Sequence, residues 1–179
     1  MKVLVLTGSP HKNGTSALLA DEFIRGVRES GNEVFRFDAA FEDVHPCIGC
    51  LKCEYGKNPC VFSDAMTTLN PHLLDSDIIV FITPVYYFGF SAQLKTVIDR
   101  FQRTVFSMQG KKKTIFMATA ASNEDWVMDA PTSHYQNLAR YMSWDDIGMI
   151  LARNCAQRAN IEKTDFPQLA YEMGKIIDV

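Results

Sequence analysis

The chain of 179 residues is long enough for one domain with its own hydrophobic core, and its 47% hydrophobic and 22% charged residues are typical of soluble globular proteins. Its formal net charge of -3 argues against nucleic-acid and anionic-membrane partners. No signal-peptide pattern opens the sequence, and its longest apolar runs are too short to span a bilayer. We therefore expect a cytoplasmic protein whose five cysteines are thiols.

Strand and helix patterns alternate along the chain. Strands are predicted at residues 2–6, 33–37, 77–83, 114–118 and 146–152, and helices at residues 16–30, 64–74, 91–103, 132–143 and 166–177. Thr15 or Ser16 is expected to cap the first helix, and Asp64 the second. This alternation predicts an α/β fold: one flavodoxin-like domain over residues 1–179, with a doubly wound, five-stranded parallel sheet of order 2-1-3-4-5 and helices on both faces. Residues 38–63 are predicted to form a long irregular, cysteine-rich loop.

The loop after the first predicted strand has the sequence GSPHKNGTS over residues 8–16. A polar loop between a buried strand and a helix N-terminus favours anion binding, because free backbone N–H groups and the helix dipole converge there. Ser9, Thr15 and Ser16 add hydroxyl donors. The loop matches neither the GxGxxG nor the GxxxxGK[ST] pattern, so we predict a site for the phosphate monoester of a mononucleotide. The alternative is an ordinary turn without a ligand.

A second loop, TPVYYFGFS over residues 83–91, follows the third predicted strand. In a doubly wound sheet this loop lies beside the first one, so both face one crevice. Its aromatic side chains would supply a flat apolar wall for a planar ring, which favours FMN over ATP or a sugar phosphate. The alternative is that these side chains cap the core or form a subunit interface. The aromatic residues are Tyr86, Tyr87, Phe88 and Phe90.

Together with the segment QLKTVIDRF, these two motifs resemble the NADPH-dependent FMN reductase family, and the resemblance extends to LAYEMGKII near the C-terminus. It implies bound FMN, NAD(P)H as co-substrate, and a homodimer or tetramer with the flavin near the interface. It also implies a third flavin loop at residues 120–122. The residues expected to bind the cofactor are Ser9, His11, Lys12, Asn13, Thr15, Ser16, Pro84, Val85, Tyr86, Tyr87, Phe88, Gly89, Ala120 and Ala121.

Four cysteines have the spacing C-x2-C-x2-C-x6-C, in the segment HPCIGCLKCEYGKNPC. Such compact spacing suits a [4Fe-4S] cluster better than zinc. Here the chain is similar to the iron–sulfur flavoproteins, a branch of the same family. A structural thiol loop, a zinc site and redox disulfides are the alternatives. The candidate cluster ligands are Cys47, Cys50, Cys53 and Cys60, whereas Cys155 is interpreted as a small buried apolar residue.

Two main functions are compatible with this sequence. The first is an FMN-dependent oxidoreductase that passes electrons from NAD(P)H to a flavin, quinone or other small acceptor. The second is an iron–sulfur flavoprotein that carries electrons between protein partners. A flavin-free protein that binds another phosphorylated ligand is a third possibility. Because flavin N5 would perform the chemistry, no catalytic side chain is predicted. Asp99 and Arg100 are expected to serve in an ion pair rather than in catalysis.

Overall fold

Five strands form one parallel sheet in a computed structural model that describes residues 1–177. The sheet order is β2-β1-β3-β4-β5, and every neighbouring pair is parallel, which confirms the predicted flavodoxin-like topology. The strands are β1 (Lys2–Thr7), β2 (Glu33–Asp38), β3 (Ile78–Pro84), β4 (Lys113–Thr119) and β5 (Asp145–Ala152).

Helices connect the strands and cover both faces of the sheet. They are α1 (Thr15–Glu29), α2 (Met66–Asp75), α3 (Ala92–Asp99), α4 (Val105–Met108), α5 (Asp129–Met142), α6 (Arg158–Ile161) and α7 (Phe166–Lys175). Short 3-10 turns lie at Glu54–Gly56, Arg100–Arg103 and Asp125–Met128. In the described part of the chain, no helix has both the length and the apolar composition needed to cross a membrane.

The helix starts differ from the predictions for identifiable reasons. Helix α1 begins at Thr15 with Gly14 as its N-cap, and no side chain caps it. The predicted capping by Thr15 or Ser16 is therefore wrong, because both hydroxyls are hydrogen-bonded to Thr119 at the end of β4. Helix α2 begins at Met66, two residues after the predicted cap Asp64, which still accepts the Met66 N–H at 3.1 Å.

The predicted helix over residues 91–103 is divided into two helices. Helix α3 ends at Asp99, a 3-10 turn follows, and α4 begins at Val105. Ser91 is the N-cap of α3 and accepts the Leu94 N–H at 3.4 Å. The turn falls where a buried arginine leaves the helix to reach the cysteine-rich loop, as described below.

The strands alternate their side chains between two apolar layers, as expected for a doubly wound sheet. Val3 and Val5 of β1 pack into the layer that contains α1, α6 and α7. Leu4 and Leu6 pack into the opposite layer with α2, α3, α4 and α5. Strand β3 is buried along its whole length, so the carboxyl end of the sheet has a rigid centre.

Helices α1 and α7 meet at two glycines. A Cβ atom on Gly26 would collide with the carbonyl oxygen of Tyr171, and one on Gly174 would collide with the carbonyl oxygen of Phe23. The two helix backbones are therefore in direct contact, an approach that only a residue without a side chain permits. This contact fixes α7 against the first helix of the fold.

Candidate cofactor site

The principal cleft lies at the carboxyl ends of β1, β3, β4 and β5. Open α/β sheets bind ligands at this edge. The cleft has a volume of about 810 Å³, which is suitable for a nucleotide-sized ligand. Four loops form it: residues 9–15, 84–86, 119–121 and 155–158. Its lining residues are Ser9, Pro10, His11, Lys12, Asn13, Gly14, Thr15, Pro84, Val85, Tyr86, Thr119, Ala121, Cys155, Ala156, Gln157 and Arg158.

The first loop presents unbonded backbone donors to this cleft. Its turn is closed by the Gly14 N–H, which donates to the carbonyl oxygen of His11 at 3.1 Å, and the His11 N–H donates to Ser9 Oγ at 3.2 Å. Free amides at a helix N-terminus are suited to binding an anion, and they are the basis of the anion site that the sequence predicts. Among the described residues, the backbone N–H groups without a protein acceptor include those of Lys12, Asn13, Thr15, Ser16 and Ala17.

Three hydroxyl groups join the first loop to the end of β4. Thr15 Oγ1 donates to Thr119 Oγ1 at 3.0 Å, and Ser16 Oγ lies 2.8 Å from the same oxygen. Thr15 and Thr119 line the cleft, whereas Ser16 is buried beneath it. The helix start is thus fixed to the centre of the sheet by side chains rather than by a cap.

Gly8 allows the first two loops to approach each other. Its N–H donates to the carbonyl oxygen of Ile82 in β3 at 2.9 Å. A Cβ atom at this position would collide with Ser91 Oγ and would lie 2.7 Å from Leu94 Cβ. The start of α3 is therefore packed against the start of the first loop.

The second loop is a tight hairpin turn between Tyr86 and Gly89, whose backbone N–H and carbonyl groups are bonded to each other at 3.1 Å in both directions. Tyr87 and Phe88 occupy its centre with positive φ values of 45° and 62°. Tyr87 is 100% exposed, and Phe88 packs on Trp126 with ring centroids 4.9 Å apart.

The predicted wall of four aromatic side chains does not form within this chain. Of the four, Tyr86 lines the cleft, and Tyr87 and Phe88 lie on the turn outside its lining. Phe90 is buried and stacks on His134 with ring centroids 4.5 Å apart. The difference arises from the turn, because two consecutive left-handed residues reverse the chain immediately after Tyr86.

The third and fourth loops are held together by backbone hydrogen bonds. The Ala120 N–H donates to the carbonyl oxygen of Ala152 at 2.9 Å, and the Cys155 N–H donates to the carbonyl oxygen of Ala120 at 2.8 Å. Ala120 is buried, and Ala121 lines the cleft. Cys155 is buried as predicted; its thiol donates to the carbonyl oxygen of Arg153 at 3.0 Å, and burial raises its pKa.

The fourth loop, residues 155–158, was missed by the sequence analysis. The topology could have indicated it, because the loop after β5 lies at the same edge of the parallel sheet as the loops after β1, β3 and β4. The predicted residues absent from the cleft lining are Ser16, Tyr87, Phe88, Gly89 and Ala120. Those present are Ser9, His11, Lys12, Asn13, Thr15, Pro84, Val85, Tyr86 and Ala121.

A buried ion pair anchors the cysteine-rich loop to the core. The Arg100 side chain, 4% exposed, donates to the carboxylate of Asp64, 1% exposed, through Nη1–Oδ2 at 2.5 Å and Nη2–Oδ1 at 3.2 Å. Arg100 also donates to the carbonyl oxygen of His45 at 2.7 Å and to Cys60 Sγ at 3.3 Å. One guanidinium therefore bonds to two parts of the loop that are distant in sequence, at His45 and Cys60.

Asp99 and Arg100, which the sequence analysis expected to serve in an ion pair, each form one, but with different partners. Asp99 pairs with Lys95 at 2.5 Å on the exposed side of α3. Burial opposes ionisation of Asp64, but hydrogen bonds from Arg100 and from two backbone N–H groups outweigh it and lower the pKa of that carboxyl. Asp64 is therefore a buried carboxylate whose negative charge is stabilised by its hydrogen-bond donors.

The four cysteines of the loop are free thiols with different exposures. Cys47 and Cys50 are exposed, whereas Cys53 and Cys60 are partly buried. Four thiols in one loop have the donor chemistry that an iron–sulfur cluster requires. Among residues 1–177, however, no three Cys, His, Asp or Glu side chains are gathered as a metal site. The donor set fits a cluster chemically, and the described loop conformation does not assemble it.

The fold and the cleft define a flavodoxin-like protein with a mononucleotide-sized site. The sequence profile of the NADPH-dependent FMN reductase family matches residues 1–144. The chain belongs to this family. The resemblance inferred from the two loop motifs is confirmed.

Curated relatives include iron-sulfur flavoproteins. One from Methanocaldococcus jannaschii is 38% identical over 101 residues, which are 56% of this chain and 51% of that protein. One from Archaeoglobus fulgidus is 35% identical over 100 residues, or 56% of this chain and 45% of that protein. The chain thus spans about half the length of these curated relatives.

Solved structures support the fold. An NAD(P)H:quinone oxidoreductase from Methanothermobacter marburgensis superposes with a TM-score of 0.81 at 14% identity, covering 100% of this chain and 96% of that one. At this identity the similarity shows the flavodoxin-like architecture and nothing further.

Proposed function

We propose that this protein is an FMN-dependent oxidoreductase that takes electrons from NAD(P)H and passes them to a flavin, quinone or other small acceptor. The observation that supports this proposal most directly is the distribution of charged and polar groups around the cleft. Its lining includes free loop amides and the side chains of His11, Lys12 and Arg158, and no Asp or Glu among the described residues. In a chain with a net charge of -3, this pattern favours an anionic ligand such as a phosphate monoester.

The residues of the cleft fit the separate parts of FMN. The free amides of the first loop and the hydroxyls of Ser9 and Thr15 would bind the phosphate. Pro84, Val85 and Tyr86 would provide an apolar surface beside the ring system. When bound, FMN supplies a ring that accepts hydride from a nicotinamide and delivers electrons to an acceptor. The protein's contribution is to bind and orient that ring.

Replacement of Ser9 and Thr15 by valine together is expected to abolish FMN retention. The change removes two hydroxyl donors and places methyl groups where the phosphate would lie. The flavin content per chain, measured from the visible spectrum after desalting, tests this expectation. Thr96→Val is the matched control, because Thr96 lies on α3 and its hydroxyl bonds to the carbonyl oxygen of Ala92. Equal flavin content in all three proteins would contradict the proposed site.

A second function is favoured by the cysteine-rich loop: an iron–sulfur flavoprotein that passes electrons between protein partners. The four free thiols of this loop and the hydrogen bond from Arg100 to Cys60 support this proposal. Cysteine side chains are the protein groups that hold iron–sulfur clusters. The cluster would supply one-electron transfer, and Cys47, Cys50, Cys53 and Cys60 would be its ligands.

Replacement of Cys53 by serine is expected to remove any cluster and leave FMN bound, because the two sites use different loops. Anaerobic purification followed by iron, acid-labile sulfide and flavin analysis tests this. Cys155→Ser, outside the cysteine-rich loop, is the control for the iron and sulfide content only, because Cys155 lines the cofactor cleft. Substoichiometric iron in the unaltered protein would exclude the cluster, and loss of both cofactors in the variant would indicate a shared folding role.

We also infer a homodimer or tetramer. The turn after β3 and the segment before α5 expose large aromatic side chains next to the cleft. Exposed apolar patches of this kind mark interaction surfaces in soluble proteins. A second copy of the chain would cover them and complete the surroundings of the flavin. The exposed aromatic residues are Tyr86, Tyr87, Phe88 and Trp126.

A further inference from the structure

The loop after β5 brings an arginine to the cofactor cleft. Arg158 is the first residue of α6 and lines the same cleft as the phosphate-binding loop. Its Nε donates to Glu162 Oε1 at 2.7 Å. In the described part of the chain its Nη1 and Nη2 atoms donate to no protein group. The guanidinium therefore has one fixed edge and two terminal nitrogens available to a ligand.

The position of Arg158 is set by the backbone of its loop. The Cys155 N–H donates to the carbonyl oxygen of Ala120, which joins the loop to the end of β4. Gln157 and Asn160 form a reciprocal capping box, in which the Gln157 N–H donates to Asn160 Oδ1 at 2.9 Å. The ion pair with Glu162 is solvent-exposed, and pairs of this kind are weak, so Glu162 can orient the guanidinium without preventing it from binding an anion.

The other cation with a defined position in the cleft has a partner of its own. Lys12 Nζ lies 4.9 Å from the centroid of the Phe41 ring, and Lys12 also borders the adjoining crevice beside β2. The first loop itself offers amides and hydroxyls, which bind phosphate oxygens but carry no full charge. A phosphate monoester carries close to two negative charges at neutral pH. A cation in the cleft would add a full positive charge to these donors, and Arg158 lines the same cleft.

We propose that Arg158 binds the phosphate of FMN and makes the site selective for FMN over riboflavin. This inference rests on the proposed function. A guanidinium can donate two parallel hydrogen bonds to two phosphate oxygens, which a single ammonium cannot. Riboflavin has the same ring system without the phosphate, so Arg158 contributes nothing to its binding. The selectivity for the phosphorylated flavin then lies partly on a loop more than 140 residues away from the first loop in sequence.

The test compares Arg158→Gln with Arg153→Gln, using flavin-free protein and dissociation constants measured from the quenching of flavin fluorescence. Both arginine side chains are 37% exposed and lie near the end of β5, but Arg153 pairs with Asp125 and does not line the cleft. We expect Arg158→Gln to weaken FMN binding about 10-fold or more and to leave riboflavin binding unchanged. Arg153→Gln should change neither, and Arg158→Lys should restore part of the FMN affinity.

Two outcomes would overturn the assignment while leaving the proposed function intact. The first is an unchanged ratio of FMN to riboflavin affinity in Arg158→Gln. The second is an unchanged FMN affinity accompanied by a raised KM for NADPH, which would assign the guanidinium to the nicotinamide nucleotide. Failure of the unaltered protein to bind FMN at all would overturn the proposed function and this inference together. Circular dichroism and Tm of each variant show whether the fold is retained.

Discussion

Replacement of Arg100 by glutamine is expected to lower the free energy of unfolding by about 3–5 kcal/mol, because it leaves the carboxylate of Asp64 buried without its counter-ion. The Arg100 side chain is 4% exposed and that of Asp64 is 1% exposed, so water does not replace the lost partner. The same change removes the donors to His45 and Cys60. The anchor of the cysteine-rich loop is lost together with the ion pair.

Urea unfolding curves measure this effect, and the structure offers a matched control. Lys95 pairs with Asp99 on the outer side of α3, with side chains 43% and 47% exposed. Lys95→Gln is therefore expected to cost less than about 1 kcal/mol. The double variant Asp64→Asn, Arg100→Gln should be less destabilised than the sum of its single changes, because it leaves no unpaired charge. Similar losses for Arg100→Gln and Lys95→Gln would contradict this account.

The pH dependence of stability should change in the same variant. Arg100 helps to hold the pKa of Asp64 below its usual value of 3.8. The stability that this carboxylate contributes is complete above that pH and is lost as the pH falls through the lowered pKa. Without Arg100 the effect of burial, which raises the pKa, gains weight. The stability that is lost as the pH falls below 3.8 should therefore be smaller in Arg100→Gln than in the unaltered protein, which urea unfolding at a series of pH values would measure.

The Gly8→Ala substitution is expected to reduce FMN retention severely and to destabilise the fold by about 1–3 kcal/mol. The new Cβ atom would collide with Ser91 Oγ and would lie 2.7 Å from Leu94 Cβ, both on buried residues. Relief requires α3 to move away from β1, which separates the first loop from the second. The phosphate donors and the apolar surface around Tyr86 would then no longer face one ligand.

Gly89→Ala provides the comparison for Gly8→Ala. Gly89 lies in the second loop, its φ is not positive, and the atom nearest to a new Cβ would be the carbonyl oxygen of Tyr86 at 3.9 Å. That substitution should leave both stability and flavin content close to those of the unaltered protein. Measurements of flavin content and of urea unfolding for Gly8→Ala and Gly89→Ala test whether the close approach at Gly8 is required. A Gly8→Ala protein with full flavin would show that the close approach of the loops is not required.

The sheet could be predicted from the sequence because its strands are buried on both faces. Runs such as residues 77–83 contain no polar side chain between the first residue and the last, and a short, β-branched apolar run of this kind is typical of a central parallel strand. The break after Asp99 could not be predicted in this way. It depends on Arg100 reaching Asp64, and these residues are far apart in sequence.

The cofactor cleft was predictable where local chemistry determines it. The first loop combines turn residues and hydroxyls with a helix N-terminus, so its proposed role in binding a phosphate could be inferred from sequence alone. The proposed contribution of Arg158 depends on the placement of its loop by a hydrogen bond between Cys155 and Ala120, which is a tertiary contact. The outward position of Tyr87 depends on left-handed backbone angles at a residue that rarely adopts them. Neither the position of Arg158 nor that of Tyr87 can be read from the pattern of apolar and polar residues in the sequence.

The contact of helices α1 and α7 at Gly26 and Gly174 bears on where this protein could be divided. The family profile ends at residue 144, just before β5. A fragment ending there would lack α7, so the face of α1 that now touches another backbone would meet water. It would also lack the edge strand of the sheet and the wall of the cleft that contains Arg158. The end of the family-profile match therefore falls inside one sheet and its core, and an expression fragment designed from that end would be incomplete in both core and site.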